Sequence, residues 1–224
     1  MRFGQALVSW LSLWLCVAMA ASAAPVAGVV AQLSGPMTAR GADGTVRPLV
    51  LKSEVAGGDT LLTGGGAYAL VRFIDNSELT LRPDTSVKID QFTFQDARPE
   101  QDSAAFTLIK GGLRSVTGLL GKRSKEKYAM QTPSATIGIR GTTFFLEYIA
   151  AAGEAAASPG LDPGLHVHVS EGGISLVNEV GAFQYDPGQF GYIKDRRTKP
   201  VKMFANPGMR FTPPESFGAG EALR

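Results

Sequence analysis

The stretch that most constrains this chain runs from Tyr128 to Tyr148, YAMQTPSATIGIRGTTFFLEY. It begins as strand alternation, with Tyr128, Met130 and Thr132 on one side and Ala129 and Gln131 on the other. Pro133 interrupts it, because proline cannot donate to a strand ladder. A second run, rich in β-branched and aromatic residues, continues from Thr136 to Phe145. Gly138 and Gly141 lie inside it, and a glycine within a strand marks a bulge or a close backbone approach. Arg140 between them can reach a carboxylate or backbone carbonyls. The stretch predicts a packed strand with a built-in corner. It pairs no nucleophile with a base.

Glycine supplies 27 of 224 residues, and short apolar runs recur between turn residues, which predicts an all-β fold. Turns recurring every eight to twelve residues leave a sandwich, a barrel or a solenoid open. The formal charge of +2 is nearly balanced and excludes no partner by itself.

Residues Met1 to Ala23 read as a secretory signal peptide. Arg2 forms the basic end, Ala6 to Ala20 the apolar segment, and Ala21-Ser22-Ala23 the small-residue cleavage site. The alternative is an uncleaved anchor, which would bring membrane contact. The sole cysteine, Cys16, leaves with the signal, so the exported chain uses no disulfide or thiol chemistry. Residues 24–193 are expected to form the domain, and 194–224 a basic, Pro- and Gly-rich tail that is loosely ordered from Ala205 onward. Ala150 to Gly164 reads as a flexible loop, and Phe183 to Ile193 as a last hairpin around Pro187-Gly188. LIKGGLRSV (Leu108 to Val116) and VSEGGISLV (Val169 to Val177) share a charged residue followed by two glycines, a repeated corner device.

The order GDTLLT (Gly58 to Thr63), VRFIDNSELTL (Val71 to Leu81), F-x-L-x-x-GGLR (Phe106 to Arg114) and TPSATIGIRGTTF (Thr132 to Phe144) resembles the FecR protein domain. The likeness spans Val26 to Tyr192 and is most specific over 58–147. The residues that carry it are Gly58, Asp59, Thr60, Asp75, Thr132, Pro133, Gly138, Arg140, Gly141 and Thr142. The resemblance implies a periplasmic sensor domain with a β-solenoid-like, twisted sheet core, so the expected class becomes an all-β, β-solenoid-like or twisted β-sandwich of short strands, in a single domain. The family's best-known members pass a signal from an outer-membrane receptor to a cytoplasmic sigma factor. Here only five residues precede the apolar segment, so the cytoplasmic sigma-binding segment is not expected.

Other chemistry reads more weakly. His166 and His168 share one strand face, a start for a metal site with Glu171 or Asp162 as third ligand, but the simpler reading is a polar strand face. Ser134 lacks a nucleophile elbow, and Gly64-Gly65-Gly66 lacks the Lys-Ser/Thr of a phosphate loop. Asp59, Asp75 and Asp84 read as turn residues bonding backbone amides rather than as paired catalytic carboxylates. The basic runs Lys122 to Lys127 and Lys194 to Lys202 read as solvated loops, or as contacts to anionic lipid, cell-wall polymer or an acidic partner. They carry no interleaved aromatics, so nucleic acid is not expected.

The expectation is therefore a non-catalytic periplasmic protein, without metal or cofactor, that binds an envelope protein partner in signalling or envelope organisation. The alternative is a cell-wall or polysaccharide-binding module, which requires a groove with exposed aromatics.

Overall fold

A computed structural model of the chain describes residues 25–150 and 160–217. The expected signal peptide, with Cys16, and residues 151–159 of the expected loop lie outside the described residues. Among those described, no helix is long and apolar enough to cross a membrane.

The chain is all-β. Its strands are β1 (Val26–Leu33), β2 (Met37–Arg40), β3 (Val46–Leu49), β4 (Glu54–Ala56), β5 (Thr60–Thr63), β6 (Ala69–Phe73), β7 (Glu78–Leu81) and β8 (Ser86–Thr93). Next come β9 (Ser103–Val116), the short helix α1 (Leu119–Arg123), β10 (Tyr128–Gln131), β11 (Thr136–Ile139), β12 (Thr143–Ile149), β13 (Gly164–Glu171), β14 (Ile174–Asn178), β15 (Gly181–Tyr185), β16 (Phe190–Ile193) and β17 (Val201–Met203).

These strands form one hydrogen-bonded network of two runs that share β9. Sheet A runs β4-β1-β6-β7-β9-β12-β13-β16-β17 and uses the second half of β9. Sheet B runs β3-β2-β5-β8-β9-β10-β11-β14-β15 and uses the first half. Every pairing is antiparallel except β9 with β10. The runs pack face to face: Phe73 of sheet A stacks on Phe92 of sheet B at 4.7 Å, and Tyr128 meets Phe144 edge-on. One apolar core fills the space between them.

The chain passes between sheets at glycine corners. β9 changes sheet at Gly111, whose φ of +81° is a left-handed value that glycine adopts without penalty. A side chain at Gly111 would also collide with Thr85 Cα, 2.6 Å from the Cβ position. Gly172 (φ +73°) serves the same purpose between β13 and β14. The two similar glycine segments therefore both mark passages between the sheets, from B to A at Gly111 and from A to B at Gly172.

Two expectations need correction. Phe183 to Ile193 is not a hairpin: β15 pairs with β14 in sheet B and β16 with β13 in sheet A, so the Pro187-Gly188 turn changes sheet instead. Nor does the chain trail loosely from Ala205 to Phe217, while residues 218–224 of the expected tail lie outside the described residues. Met209 and Phe211 are 2% and 3% exposed, packed against Phe145, Ile149, Leu161 and Phe190. The sequence shows Pro and Gly there, but two bulky apolar side chains two residues apart suffice to hold an extended segment down. In addition, the first basic run begins in α1, with Lys122 and Arg123, and ends in a 3-10 turn at Lys125–Lys127, neither of which the turn-rich sequence suggested.

Candidate functional site: the signature joints and a strapped sheet face

The residues that carry the family likeness do not converge on one site. They build three separate joints. At the first, Gly58 (φ +92°) donates its N–H to Ile89 O at 2.6 Å. Buried Asp59 accepts from Ala56 N and from both terminal nitrogens of Arg47. Thr60 lies in β5, in register with Arg40 and Lys88. At the second, Asp75 Oδ1 accepts from Ser77 N and Ser77 Oγ, closing the β6–β7 turn, while its Oδ2 accepts from Leu120 N and so tethers α1. A buried carboxylate with two backbone donors and a hydroxyl donor is fully employed in holding the turn and the helix.

The third joint lies within Tyr128 to Tyr148. Thr132 Oγ1 accepts from Ser134 N and Ala135 N and donates to Ala135 O, which closes the turn around Pro133. Arg196 donates to Pro133 O and Thr132 O from outside. At the corner, Thr142 Oγ1 donates to Gly173 O (2.6 Å) and accepts from Arg140 N. Thr117 Oγ1 accepts from Thr142 N and donates to Thr142 O. Arg140 lies across Gly173 and pairs with Asp186 at 3.1 Å. Gly141 has φ +66°, which demands glycine. Gly138 does not: a Cβ there would sit 3.9 Å from Ser175 O, an ordinary contact. The corner thus rests on Thr142, Thr117 and Gly141 rather than on a pair of glycines.

Asp102, just before β9, forms a further joint. Arg123 and Ser124 Oγ donate to it, and the Arg123 guanidinium holds its carboxyl below the usual carboxylate range.

A different arrangement covers the face of sheet A that points away from the core. One cross-strand row traverses the sheet: Met203, Phe190, His168, Phe145, Arg114, Thr80, Leu70 and Gln32, each in register with the next. His168 stacks on Phe190 at 4.1 Å and lies 5.6 Å from Phe145, and Arg114 sits over the Phe145 ring. Beside this row lie Tyr192, His166 and Glu147. Glu147 accepts an ion pair from Arg82 at 2.6 Å, with side-chain exposures of 1% and 8%. Gly112, opposite Glu147, makes this possible, because a Cβ there would meet Arg82 Cδ at 2.9 Å.

Residues 204–217 strap this face. Phe211 packs edge-on against Phe145 (5.1 Å) and Tyr68 (6.1 Å), Phe217 meets Tyr68, and Gln32 Nε2 donates to Ser216 O. The strap therefore starts at Met203 and finishes at Gln32, the two ends of the row.

His166 and His168 do share a face, as expected, but it is packed rather than solvated: His166 is buried, stacks on Tyr192 and bonds Asp162 O at 2.8 Å. Among the described residues no group of three potential ligands could hold a metal. Arg82, Arg114 and Glu147 do not stand out in the sequence at first sight. A signal is nonetheless present: Glu147 is the only charge in FFLEYI, and Arg82 directly follows the apolar positions of β7.

The model of the FecR protein family matches residues 59–175, just over half the chain. The chain belongs to the FecR family. No curated protein matches it. Among solved structures, a cell surface anchoring domain is 28% identical, covering 29% of this chain and 84% of its own, with a TM-score of 0.28. Two structures of a candidate anti-sigma factor from Parabacteroides distasonis are each 13% identical and cover 64% of this chain, with TM-scores of 0.48 and 0.46. This chain spans 58% of the length of each of those two. These are loose likenesses, and the family match alone bears on function.

Proposed function

We propose that this FecR-family protein acts in signalling by binding a protein partner, without catalysis. Membership of the family carries the reading. The joints support it, because the signature side chains Asp59, Asp75, Thr132 and Thr142 spend their polar atoms on backbone groups, on Arg47 or on Ser77. The outer face of sheet A supports it too, being rich in Phe, Tyr, His and Arg, and aromatic residues and Arg are enriched at protein interfaces. The proposed location is the periplasm, reached through cleavage after Ala23, with 24–193 as the FecR-like domain.

The glycan-binding alternative draws less support. Among the described residues the one exposed aromatic is Phe204, and two pockets, one lined by Ala135, Val177 and Arg196 and one by Pro36, Leu62 and Gly64, are small, about 230 and 160 Å³. Affinity capture with the tagged mature protein, after cross-linking in envelope extracts, tests the reading. The expected result is a stoichiometric protein partner. Retention on peptidoglycan with no protein partner would overturn it.

A further inference from the structure

We infer that the outer face of sheet A is a peptide-binding face, and that residues 204–217 are its in-chain occupant, displaced by a partner's extended segment carrying two bulky apolar side chains two residues apart. The inference rests on the protein-partner reading and locates the contact.

The first observation is composition. Strands buried on both faces ordinarily read as continuous apolar runs. On their core side β12 and β13 obey this, with Phe144, Leu146, Leu165, Val167 and Val169. On the strapped side the apolar Phe145 and Ile149 alternate with Glu147 and face His166 and His168, and Arg82 and Arg114 join them from neighbouring segments. Charged and aromatic side chains of this kind suit a face that exchanges one cover for another, since their polar ends keep water or a partner satisfied when the cover leaves.

The second observation is how the strap is held. Beyond β17, residues 204–217 hold an isolated bridge at Phe211 and a 3-10 turn at Glu215–Phe217, and otherwise lie outside regular structure. The Asn206 side chain serves the strap itself, accepting from Gly208 N and Met209 N and donating to Met209 O. The apolar hold comes from Met209 and Phe211, with Phe217 on Tyr68. Lifting the strap therefore leaves sheet A's ladders intact. A segment secured by a few side chains belongs to the low-stability end of a structure, where local opening occurs.

The third observation is fit. The strap follows the row from Met203 to Gln32, and its anchors seat against Phe145 and Phe190, so the occupant already present defines what the face accepts: an extended chain reading apolar-x-apolar. An incoming segment must outcompete a tethered one, which lowers its apparent affinity by the fraction of time the strap is closed.

The test uses the full chain and a fluorescent peptide of residues 204–217 as probe. The peptide should bind the Met209→Ala/Phe211→Ala protein at least tenfold tighter than the wild type, and a peptide carrying the Phe211→Ala change should lose that binding. Equal binding to both proteins, or none to either, would overturn the proposal. If the double variant fails to fold, hydrogen exchange on the wild type decides: strap amides at 205–217 should exchange at least a hundredfold faster than those of β12 and β13, and equal protection would sink the idea. A concentration-dependent dimer cross-linked from the strap of one copy to the face of another assigns the face to a second copy and overturns the partner assignment. A captured partner cross-linked elsewhere overturns this inference but leaves the proposed function standing. Peptide binding without any captured protein does the reverse.

Discussion

Phe144 and Phe145 are neighbours in β12, and both are almost fully buried, at 0% and 2% exposure. They face opposite ways. Phe144 enters the core between the sheets, among Leu113, Leu146 and Tyr128. Phe145 enters the layer beneath the strap, among Phe190, His168, Arg114 and Phe211. Equal burial therefore conceals two kinds of environment. One is sealed by two sheets that cannot part without global unfolding. The other is sealed by a single strap that can lift.

Replacing each phenylalanine breaks that symmetry most directly. Phe144→Ala leaves a cavity that strands on both sides cannot collapse into, and should cost about 3–5 kcal/mol. Phe145→Ala lets the strap settle into the space and should cost about 2 kcal/mol less by the same reasoning. Urea denaturation of both variants measures the difference, and equal losses would show that the strap is as rigid as a sheet.

The buried ion pair comes next. Glu147→Ala leaves Arg82 buried without its carboxylate and should cost about 3–5 kcal/mol, while a joint Arg82→Met/Glu147→Leu change should cost far less or stabilise. Should the joint variant hold its melting temperature yet lose the peptide response, the pair serves the face rather than the fold.

The same contrast separates what was legible in the sequence from what was not. Alternation at Val71, Leu79, Leu81 and Ile89 places one face of each strand in the core, and turn residues at Asp75 and Gly58 mark the bends, so the all-β class and the inner face could be read directly. The two Gly-Gly segments announced their corners. The strapped face could not be read, because its cover arrives from residues 204–217, at a large sequence separation from β12. Its two anchors sit in a Pro- and Gly-rich segment whose composition resembles a tail. The Pro187-Gly188 turn misled for a related reason. A turn between two short strands looks the same whether it returns the chain within a sheet or passes it to the other one. Pairing partners decide that, and they are not local.

The corner glycines give a smaller effect. Gly141→Val forces a β-branched residue to φ +66°, with open space around it, so the cost is backbone strain alone, about 1–3 kcal/mol. Gly172→Ala should exceed it, because its Cβ would also collide with the Gly141 carbonyl. Thermal melts rank the two, and the reverse order would contradict the corner geometry.

An alkaline titration sharpens the inner side of the comparison. Burial pushes the Tyr185 hydroxyl up to about 12 and raises that of Tyr128 as well. Below about pH 10 both states are protonated and the folded chain keeps its full stability. Between about pH 10 and 12 the unfolded chain ionises first, so stability falls as pH rises. Tyr185→Phe should flatten part of that slope without changing stability trends near neutral pH, and an unaltered slope would remove Tyr185 from the account.

The smallest effect concerns an exposed arginine–carboxylate pair. Arg140 and Asp186 lie 3.1 Å apart, like a bonded pair, but their side chains are 49% and 58% exposed. Solvent screens such a pair, and ordering two mobile side chains offsets most of the attraction, so Asp186→Asn should cost about 0–1 kcal/mol and less still in high salt. Arg140→Ala should cost slightly more, since its guanidinium also covers Gly173. A double-mutant cycle separates the charge term from the covering term. A coupling energy as large as that of Arg82 with Glu147 would mean that the signature arginine is held by its charge after all, and that exposure is a poor guide to which of the two pairs the fold depends on.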